Sequence, residues 1–419
     1  PRSTLFPYTT LFRSKRNKDG SKFLLSDFEA YQIFSLEQTA IRYDQSIGLK
    51  NLKLLSFFED EEENFWFGFS GGIQKLTNRS LRNLYPESID SYLNNIIEDA
   101  SGRIWMAFNN KIMYYQNTLV DFSNQLDGNK LPYVVTSLPD GDIFIADSYG
   151  WYIYDVKTLK RKHEKKFNTK IFSLKNVHAS PSGDIFLMSG IDGFVYKIAS
   201  IDQQPTPIAN DFTSLVSQMV DYQDMVVGGN NTGLVKYNGK TFENLCATPS
   251  PVLGLSVIDD VLWVGMENGL GKYTMDGHFQ TLTIPSLPNV SINSIQKVGD
   301  KDRDKEHLWL GTNRGFCYYD ITNNNVDIVV YSNDGLPGNE IVTNGLLLNN
   351  KDVLYVATYH GVSAYDLRKE NTVKFVPQCR IENLLLNGEK ISQQRNQFKA
   401  SENNFIFELA GLSFKDEEA

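Results

Sequence analysis

A motif of about forty residues recurs along most of this chain, and it limits the possible fold more than any other feature. Four copies are built around a tryptophan, for example HLWLGTNRGFCYYD around Trp309 and VLWVGMENGLGKYT around Trp263. Each copy has an apolar segment, a short turn rich in Gly, Asn or Thr, and a second apolar segment that ends in Tyr or a similar residue. Two apolar segments joined by such a turn predict a β-hairpin.

Weaker copies of the motif carry Ile, Phe, Val or Tyr at the tryptophan position and fill the gaps between the four. The nine anchor positions are Ile33, Trp66, Trp105, Phe144, Phe186, Val226, Trp263, Trp309 and Tyr355. Neighbouring anchors are separated by 33 to 46 residues. A repeat of about forty residues is typical of the blades of a β-propeller.

Each copy contains material for four strands. An apolar segment precedes the anchor strand and is joined to it by a tight turn, such as Ser101–Gly102 or Asp140–Gly141. Another strand follows the Tyr, as in Tyr237–Leu245. Glycine suits these turns because it accepts a positive φ at no steric cost. Since no segment has a sustained helical period, the sequence predicts an all-β protein.

Four-stranded sheets repeated at this period favour a β-propeller, in which blades pack face to face around an axis. A single ring has four to eight blades in most propellers, so nine copies do not fit one ring. We therefore predict a seven-bladed β-propeller over residues 86–376, preceded over residues 15–85 by two blades of a truncated upstream propeller. The aromatic anchors, such as Trp263 and Trp309, are expected to fill the space between neighbouring blades.

The first fourteen residues differ in kind from the rest. The segment TLFPYTTLFRS, Thr4–Ser14, looks codon by codon like a one-frame translation of a common sequencing adapter. We assign residues 1–14 as an adapter-like scar and expect this segment, including the rings of Phe6, Tyr8 and Phe12, to pack against nothing. On this interpretation the natural protein starts upstream of Lys15.

Composition excludes several classes of function. The net charge of −9 argues against a nucleic-acid partner, which would need a basic face. No apolar run approaches the 18 residues of a membrane span. Three distant cysteines and five scattered histidines lack metal-ligand spacing, so we predict no metal and no cofactor. The acidic cluster Glu59–Asn64 is either a solvated hairpin or a calcium site.

A repeat, the linker after it and the final part of the chain, in that order, carry a family resemblance. The copy around Trp309 and the following linker NDGLPGNE, Asn333–Glu340, are similar to regulator-propeller repeats and their D-G-L-P-x-N signature. The segments Arg380–Ile391 and Ala400–Phe414 then resemble the start of a triple-tyrosine (Y_Y_Y) β-sandwich. The chain thus resembles the extracytoplasmic sensor region of bacterial, Bacteroidetes-like two-component regulators. We assign residues 377–419 to a truncated sandwich.

The resemblance implies a function. Such a region senses a small ligand, often an oligosaccharide, on the periplasmic side of an inner-membrane protein. That parent protein would be a sensor histidine kinase or a related transcriptional regulator, acting in a phosphorelay. The resemblance implies no catalysis in this region, because the kinase domain lies elsewhere in the parent. It also implies membrane anchoring of the parent and a homodimer formed through the sandwich and the membrane helix.

Candidate ligand contacts lie in the turns between the second and third strands of each blade. These turns open on the same face of a propeller as the loops that enter the innermost strands, and loops on such a face can vary without disturbing the blades. Aromatic rings stack on sugars, and polar groups bond to their hydroxyls. The predicted ligand-binding residues are Tyr149, Asp192, Glu267, Arg314, Tyr359 and His360. The alternative is that polar residues here only form the turns.

A propeller scaffold and a glycan-active propeller enzyme remain alternatives. Propeller glycosidases and lyases use carboxylate pairs or histidines on innermost strands. The innermost strands here are mainly Ile, Val, Leu, Ser and Asn, while Asp60, Asp99 and Asp140 stand at hairpin turns. No nucleophile-elbow, zinc-protease or phosphate-binding glycine motif occurs in the sequence. The sequence therefore favours ligand binding over catalysis.

Overall fold

A computed structural model describes residues 13–16, 22–33, 41–44, 49, 52–60, 64–76, 80–85, 92–126, 133–171, 173–208, 215–287, 289–298, 307–367, 379–392 and 397–411. Its regular elements are β-strands, apart from two short 3-10 turns at Ser123–Gln125 and Ser332–Asp334. The predicted all-β class is therefore confirmed. Within the described ranges, no helix is long and apolar enough to cross a bilayer.

The chain divides into two compact units. The first comprises residues 1–44, 49–79 and 370–419, and the second comprises residues 80–369 together with 45–48.

Two antiparallel sheets form the N-terminal part of the first unit. The strands are β1 Arg13–Arg16, β2 Lys22–Leu25, β3 Ala30–Ile33 and β4 Ile41–Tyr43 in one sheet, and β5 Leu54–Glu59, β6 Phe65–Phe69 and β7 Gly72–Leu76 in the other. The sheets pack through aromatic rings: Phe23 stacks on Phe57 with centroids 3.9 Å apart and meets Phe65 edge-on at 5.1 Å. This is the face-to-face packing expected of two consecutive blades.

Strand β1 overlaps the adapter-like segment. Arg13 pairs with Leu25, and Ser14 pairs with Leu24, so the last two residues of that segment belong to the first sheet. The expectation that residues 1–14 pack against nothing is therefore wrong for Arg13 and Ser14. The described part of the chain does not include the rings of this segment, Phe6, Tyr8 and Phe12.

The second unit contains seven four-stranded antiparallel sheets, which we call blades 1 to 7 in chain order. Blades 1 to 6 consist of β9 Leu93–Glu98, β10 Ile104–Phe108, β11 Ile112–Gln116 and β12 Thr118–Asp121; β13 Val134–Ser137, β14 Ile143–Asp147, β15 Gly150–Tyr154 and β16 Arg161–Lys166; β17 Leu174–Ala179, β18 Ile185–Ser189, β19 Val195–Ile198 and β20 Thr206–Pro207; β21 Gln218–Tyr222, β22 Met225–Asn230, β23 Gly233–Tyr237 and β24 Phe242–Ala247; β25 Val252–Ile258, β26 Val261–Met266, β27 Gly269–Tyr273 and β28 Phe279–Leu282; β29 Ile292–Lys297, β30 His307–Thr312, β31 Gly315–Asp320 and β32 Asn325–Val330.

Blade 7 closes the ring with a strand from the start of the unit. It contains β33 Ile341–Leu348, β34 Val353–Thr358 and β35 Gly361–Asp366, and its outer strand is β8 Leu81–Tyr85. Strand β8 runs antiparallel to β35. The innermost strands touch in succession from β9 to β33, and β33 touches β9 again. The seven blades therefore form a closed propeller.

Strand β8 changes one predicted boundary. The boundaries predicted from the sequence place its residues LRNLY in the upstream blades, residues 15–85, and start the ring at residue 86. The structure pairs it with β35, so the ring begins at Ser80, and the sheet β5–β7 has three strands. The predicted end of the ring at residue 376 lies outside the described residues.

The aromatic anchors lie between blades. Trp309 of blade 6 packs in one cluster with Leu81 and Tyr365 of blade 7, and Trp263 of blade 5 packs with Ile292 of blade 6. Both indoles are almost fully buried. This confirms the predicted role of these two tryptophans as inter-blade fillers.

The acidic residues at the hairpin turns hold the turns together. Asp99 accepts hydrogen bonds from the backbone N–H groups of Ser101 and Arg103 through Oδ1, and from Arg103 Nε and Trp105 Nε1 through Oδ2, both at 2.7 Å. Asp60 accepts from Trp66 Nε1 at 2.7 Å in the same way. The acids therefore serve the turns, as the sequence predicted. Residues 61–63 of the acidic cluster lie outside the described residues.

A three-stranded sheet occupies the region assigned to the sandwich. It contains β36 Cys379–Leu386, β37 Glu389–Ile391 and β38 Phe405–Gly411, with β36 in the centre. Phe405, Phe407 and Leu409 alternate along β38 and are exposed. That this sheet is the start of a β-sandwich stays a prediction.

Candidate functional site

The seven innermost strands surround an axial channel in the ring. The channel holds a cavity of about 340 Å³, and each blade contributes at least one polar side chain to its wall: Asn95, Thr136, Asn176, Gln218, Ser256, Ser294 and Asn344. A polar channel on the axis is the first place to look for a binding site.

Several of these polar groups are already used by the fold. Gln218 Nε2 donates to the Leu255 carbonyl at 2.9 Å, and the Leu255 N–H donates to Gln218 Oε1 at 2.6 Å. Asn95 makes the same pair of bonds with Val135. The side-chain amides of Asn95 and Gln218 therefore connect β9 and β21 to the backbone of the innermost strand in the next blade. Their first role is structural.

Replacing Gln218 with Met should lower the free energy of unfolding by about 1–3 kcal/mol, because the buried N–H and C=O of Leu255 would lose their partners. Methionine has a similar length, so the change tests the hydrogen bonds rather than the packing. Urea denaturation is the measurement. Gln280→Met, at an exposed position of β28, should stay within about 0.5 kcal/mol. Equal effects of the two variants would contradict the structural role.

The channel widens into a mouth at the end where the chain enters the innermost strands. The mouth is a cavity of about 490 Å³ between blades 1, 3, 4 and 7, within the range of 300–1,000 Å³ usual for small-molecule sites. Its wall includes Tyr92, Lys175, Ser217, Thr343 and Tyr359. Apolar, hydroxyl and cationic groups thus converge on one space.

Two tyrosines form the aromatic part of the mouth. The rings of Tyr92 and Tyr359 meet edge-on with centroids 5.6 Å apart, and 49% and 37% of the two residues remain exposed. Burial raises the pKa of Tyr359, and the nearby Glu340 and Tyr92 raise this pKa further. Its hydroxyl therefore stays protonated at neutral pH and is able to donate a hydrogen bond. An exposed phenol with an apolar ring and a polar end suits a saccharide.

Of the six predicted ligand-binding residues, only Tyr359 lines the mouth. His360 follows it and packs on the linker, because a Cβ placed on Gly338 would lie 2.4 Å from His360 Cδ2. The backbone N–H groups of Arg314 and His360 each bond to a threonine hydroxyl of their own turn, at 2.9 and 3.1 Å. These two residues therefore occupy equivalent turns in neighbouring blades.

The other three predicted residues lie in the same type of turn in blades 2, 3 and 5, but they do not line the mouth. Tyr149 has the ammonium of Lys170 4.7 Å from its ring centroid. Asp192 accepts from the Phe194 N–H at 3.0 Å and from the Tyr196 hydroxyl at 2.8 Å, so it forms its own turn. Glu267 is exposed, and its N–H bonds to the Pro251 carbonyl. A ligand role for these three residues stays a prediction.

Sequence reasoning missed Tyr92 and Lys175. Tyr92 stands in the loop that enters the innermost strand of blade 1, one of the two loop types on this face. Lys175 is an exposed cation within the strand LKNVHA, between the buried residues Leu174 and Asn176. A charge beside buried residues of an innermost strand is the available signal.

No protein-family model and no curated protein matches the chain. Several solved structures do match the chain. The extracellular domain of a Bacteroides protein assigned as the hybrid two-component system BT3049 of B. thetaiotaomicron superposes with a TM-score of 0.64 and 15% identity, covering 92% of this chain and 55% of that one. The extracellular domain assigned to BT4673 of the same organism gives 0.55 and 16%, covering 92% and 56%. The chain thus spans just over half of these domains, and the similarity shows a shared fold.

Proposed function

We propose that this chain is the ligand-sensing extracytoplasmic region of a two-component sensor histidine kinase or a related transcriptional regulator. The observation that carries the proposal is the mouth of a closed propeller, in which the half-exposed pair Tyr92–Tyr359 faces a cavity of about 490 Å³. The fold shared with extracellular domains of two-component systems supports it. The order of repeats, linker and final sheet in the sequence supports it further.

The ligand of this region is an oligosaccharide. Sugar rings stack their C–H faces on aromatic rings, and their hydroxyls need donors and acceptors around the rim. The mouth offers both, since the hydroxyls of Ser217 and Thr343 stand with the two tyrosines on its wall. Ser217 donates to the Val252 carbonyl at 3.0 Å, so its oxygen presents lone pairs as acceptors.

The sensor transmits binding as a shift between arrangements of the parent protein. A ligand can shift such an equilibrium only by its difference in affinity for the two arrangements. The sheet β36–β38 follows the last blade in sequence, so it is the next element along the route to a membrane helix of the parent. Dimerisation of the parent through the sandwich belongs to the same proposal, as does its periplasmic location.

One observation bears on the enzyme alternative. His178 Nε2 lies 3.1 Å from Asp221 Oδ2, and the Ser180 hydroxyl donates to Asp221 Oδ1 at 2.9 Å. Asp221 is the single acidic residue on the channel wall within the described ranges. Glycoside hydrolysis ordinarily needs two carboxylates on opposite sides of the bond. The arrangement therefore favours a binding function over glycan cleavage.

Tyr359→Ala should weaken saccharide binding at least about tenfold, which is about 1.4 kcal/mol, because it removes one side of the aromatic pair. Calorimetric titration of the purified chain against a panel of oligosaccharides is the measurement. The matched control is Tyr31→Ala, at a partly exposed tyrosine of the first unit, which should leave the affinity unchanged. Binding insensitive to Tyr359→Ala would move the site elsewhere, and release of shorter glycans would establish the enzyme alternative.

A further inference from the structure

Lys175 brings a positive charge into the mouth. It stands in β17 between Leu174 and Asn176, which are 0% and 6% exposed, and it belongs to the wall of the cavity. Lys175 lies at a register shift between β17 and β18, where Leu174 pairs with Ser189 and Asn176 with Met188. It is the exposed residue between these two buried ones, so it lies outside the inter-blade core that holds Leu174. Lys175 is the only cationic side chain among the described residues that line the mouth.

The stem of Lys175 lies over Gly190, in the turn between the second and third strands of the same blade. A Cβ added to Gly190 would stand 2.6 Å from Lys175 Cγ and 3.0 Å from Cε. The N–H of Gly190 also bonds to the Ser173 carbonyl at 2.8 Å, which fixes the turn beside the strand. Because Gly190 has no side chain, the stem of Lys175 fits against this turn and runs along the cavity wall.

Lys175 has no anionic partner among the described residues. Several other lysines pair with an aspartate: Lys197 with Asp184 and Lys297 with Asp259, both at 2.6 Å. For Lys175, burial alone lowers the pKa, and no carboxylate acts on it. Because Lys175 is itself exposed at the mouth, its ammonium group is accessible to an anionic group of a ligand.

We propose that the saccharide bound in the mouth is acidic, and that Lys175 binds its oxyanion group while the pair Tyr92–Tyr359 stacks on a sugar ring. This inference rests on the proposed function, since it names the class of saccharide for the same site. The oxyanion is a uronate carboxylate or a sulfate ester, and both accept charge-assisted hydrogen bonds from an ammonium group.

Matched pairs of ligands test the charge directly. The purified chain is titrated with uronic-acid oligosaccharides, with the same oligosaccharides as methyl esters, and with sulfated and neutral disaccharides. We expect an acidic saccharide to bind at least about tenfold more tightly than its neutral counterpart, because charged hydrogen bonds are stronger than neutral ones. A preference confined to the sulfated arm would identify the oxyanion as sulfate. Its affinity should fall as salt is raised, whereas the affinity of the neutral counterpart should not.

Variants separate the charge from its position. Lys175→Gln should abolish the preference for the acidic saccharide, and Lys175→Arg should retain most of it. Gly190→Ala keeps the charge but displaces the stem, so it should reduce the preference while leaving the affinity for the neutral counterpart unchanged. Lys170→Gln, at the lysine beside Tyr149, is the control and should have no effect. Circular dichroism confirms that each variant is folded.

The outcomes distinguish this inference from the proposed function. Equal affinity for acid and neutral counterpart, or a preference that survives Lys175→Gln, would overturn the inference and leave the saccharide sensor intact. Failure of every saccharide to bind would overturn both. Loss of affinity for acidic and neutral ligands alike in Tyr359→Ala, together with a selective loss in Lys175→Gln, would support both.

Discussion

Replacing Asp99 with Ala should lower the free energy of unfolding by about 3–5 kcal/mol, the range found when one partner of a buried ion pair is removed. The Asp99 side chain is fully buried and that of Arg103 is 6% exposed, with Arg103 Nε 2.7 Å from Asp99 Oδ2. The variant leaves the guanidinium buried, with the Val156 carbonyl as its hydrogen-bond acceptor and the Tyr114 ring centroid 5.9 Å away. It also leaves the buried Trp105 Nε1 and two turn N–H groups without their acceptor.

Two further variants show whether the buried charge causes the loss. Asp140→Ala removes an exposed turn acid that accepts one backbone hydrogen bond, so it should cost no more than about 1 kcal/mol. Asp99→Ala combined with Arg103→Met removes both charges and should be more stable than Asp99→Ala alone. Equilibrium denaturation in guanidinium chloride measures all three. A cost below about 1 kcal/mol for Asp99→Ala would show that the turn does not depend on this carboxylate.

The repeat predicted this part of the fold well because the information is local. The six-residue interval from Asp99 to Trp105 and from Asp60 to Trp66 spans one hairpin, so turn, acid and anchor are all visible in a short stretch of sequence. The same holds for the glycines at the turns, such as Gly102 with a φ of 75°. Local pattern was therefore enough to find the blades.

Ring closure was not predictable in the same way. Strand β8 has the length and apolar pattern of an outer strand, and its nearest predecessor in the chain is β7. Its actual partner is β35, and the hydrogen bond from the Ser363 hydroxyl to Asn83 Oδ1 joins residues 280 positions apart. Pairing over such a distance depends on the geometry of the closed ring, which no local period contains.

The candidate site was predicted only in part for a related reason. All six predicted residues lie in turns between the second and third strands, but the mouth lies between blades 1, 3, 4 and 7 and includes only some residues of those turns. Tyr359 lines the mouth, whereas Tyr149 and Asp192 do not. The positions of Lys175 and Tyr92 are set by the innermost strands. Polar residues on these strands either bond to the next blade or line the cavity. Gln218 bonds to the next blade, while Lys175 is left for the cavity.

Trp309→Ala is the second large expected effect, a loss of about 3–5 kcal/mol from the cavity that truncating a buried indole leaves. Trp309 is 1% exposed and touches the rings of Tyr318 and Tyr365, with centroids 4.8 and 5.9 Å away. Tyr365 belongs to blade 7, the blade completed by β8. The cavity would therefore open between blades 6 and 7, at the seam of the ring, where β8 pairs with β35.

Two controls separate ring closure from simple burial of an aromatic group. Trp309→Phe keeps a ring at the seam and removes an indole N–H that has no hydrogen-bond partner, so it should cost clearly less than Trp309→Ala. Phe194→Ala, at a residue 40% exposed, should cost no more than about 1 kcal/mol. Because Trp309 and β8 lie in one cluster, proteolysis near residues 80–85 should become faster in Trp309→Ala than in an equally destabilised Asp99→Ala, whose defect lies between blades 1 and 2. Equal cleavage at that strand in both variants would show that the ring unfolds as one unit, with no special weakness at its seam.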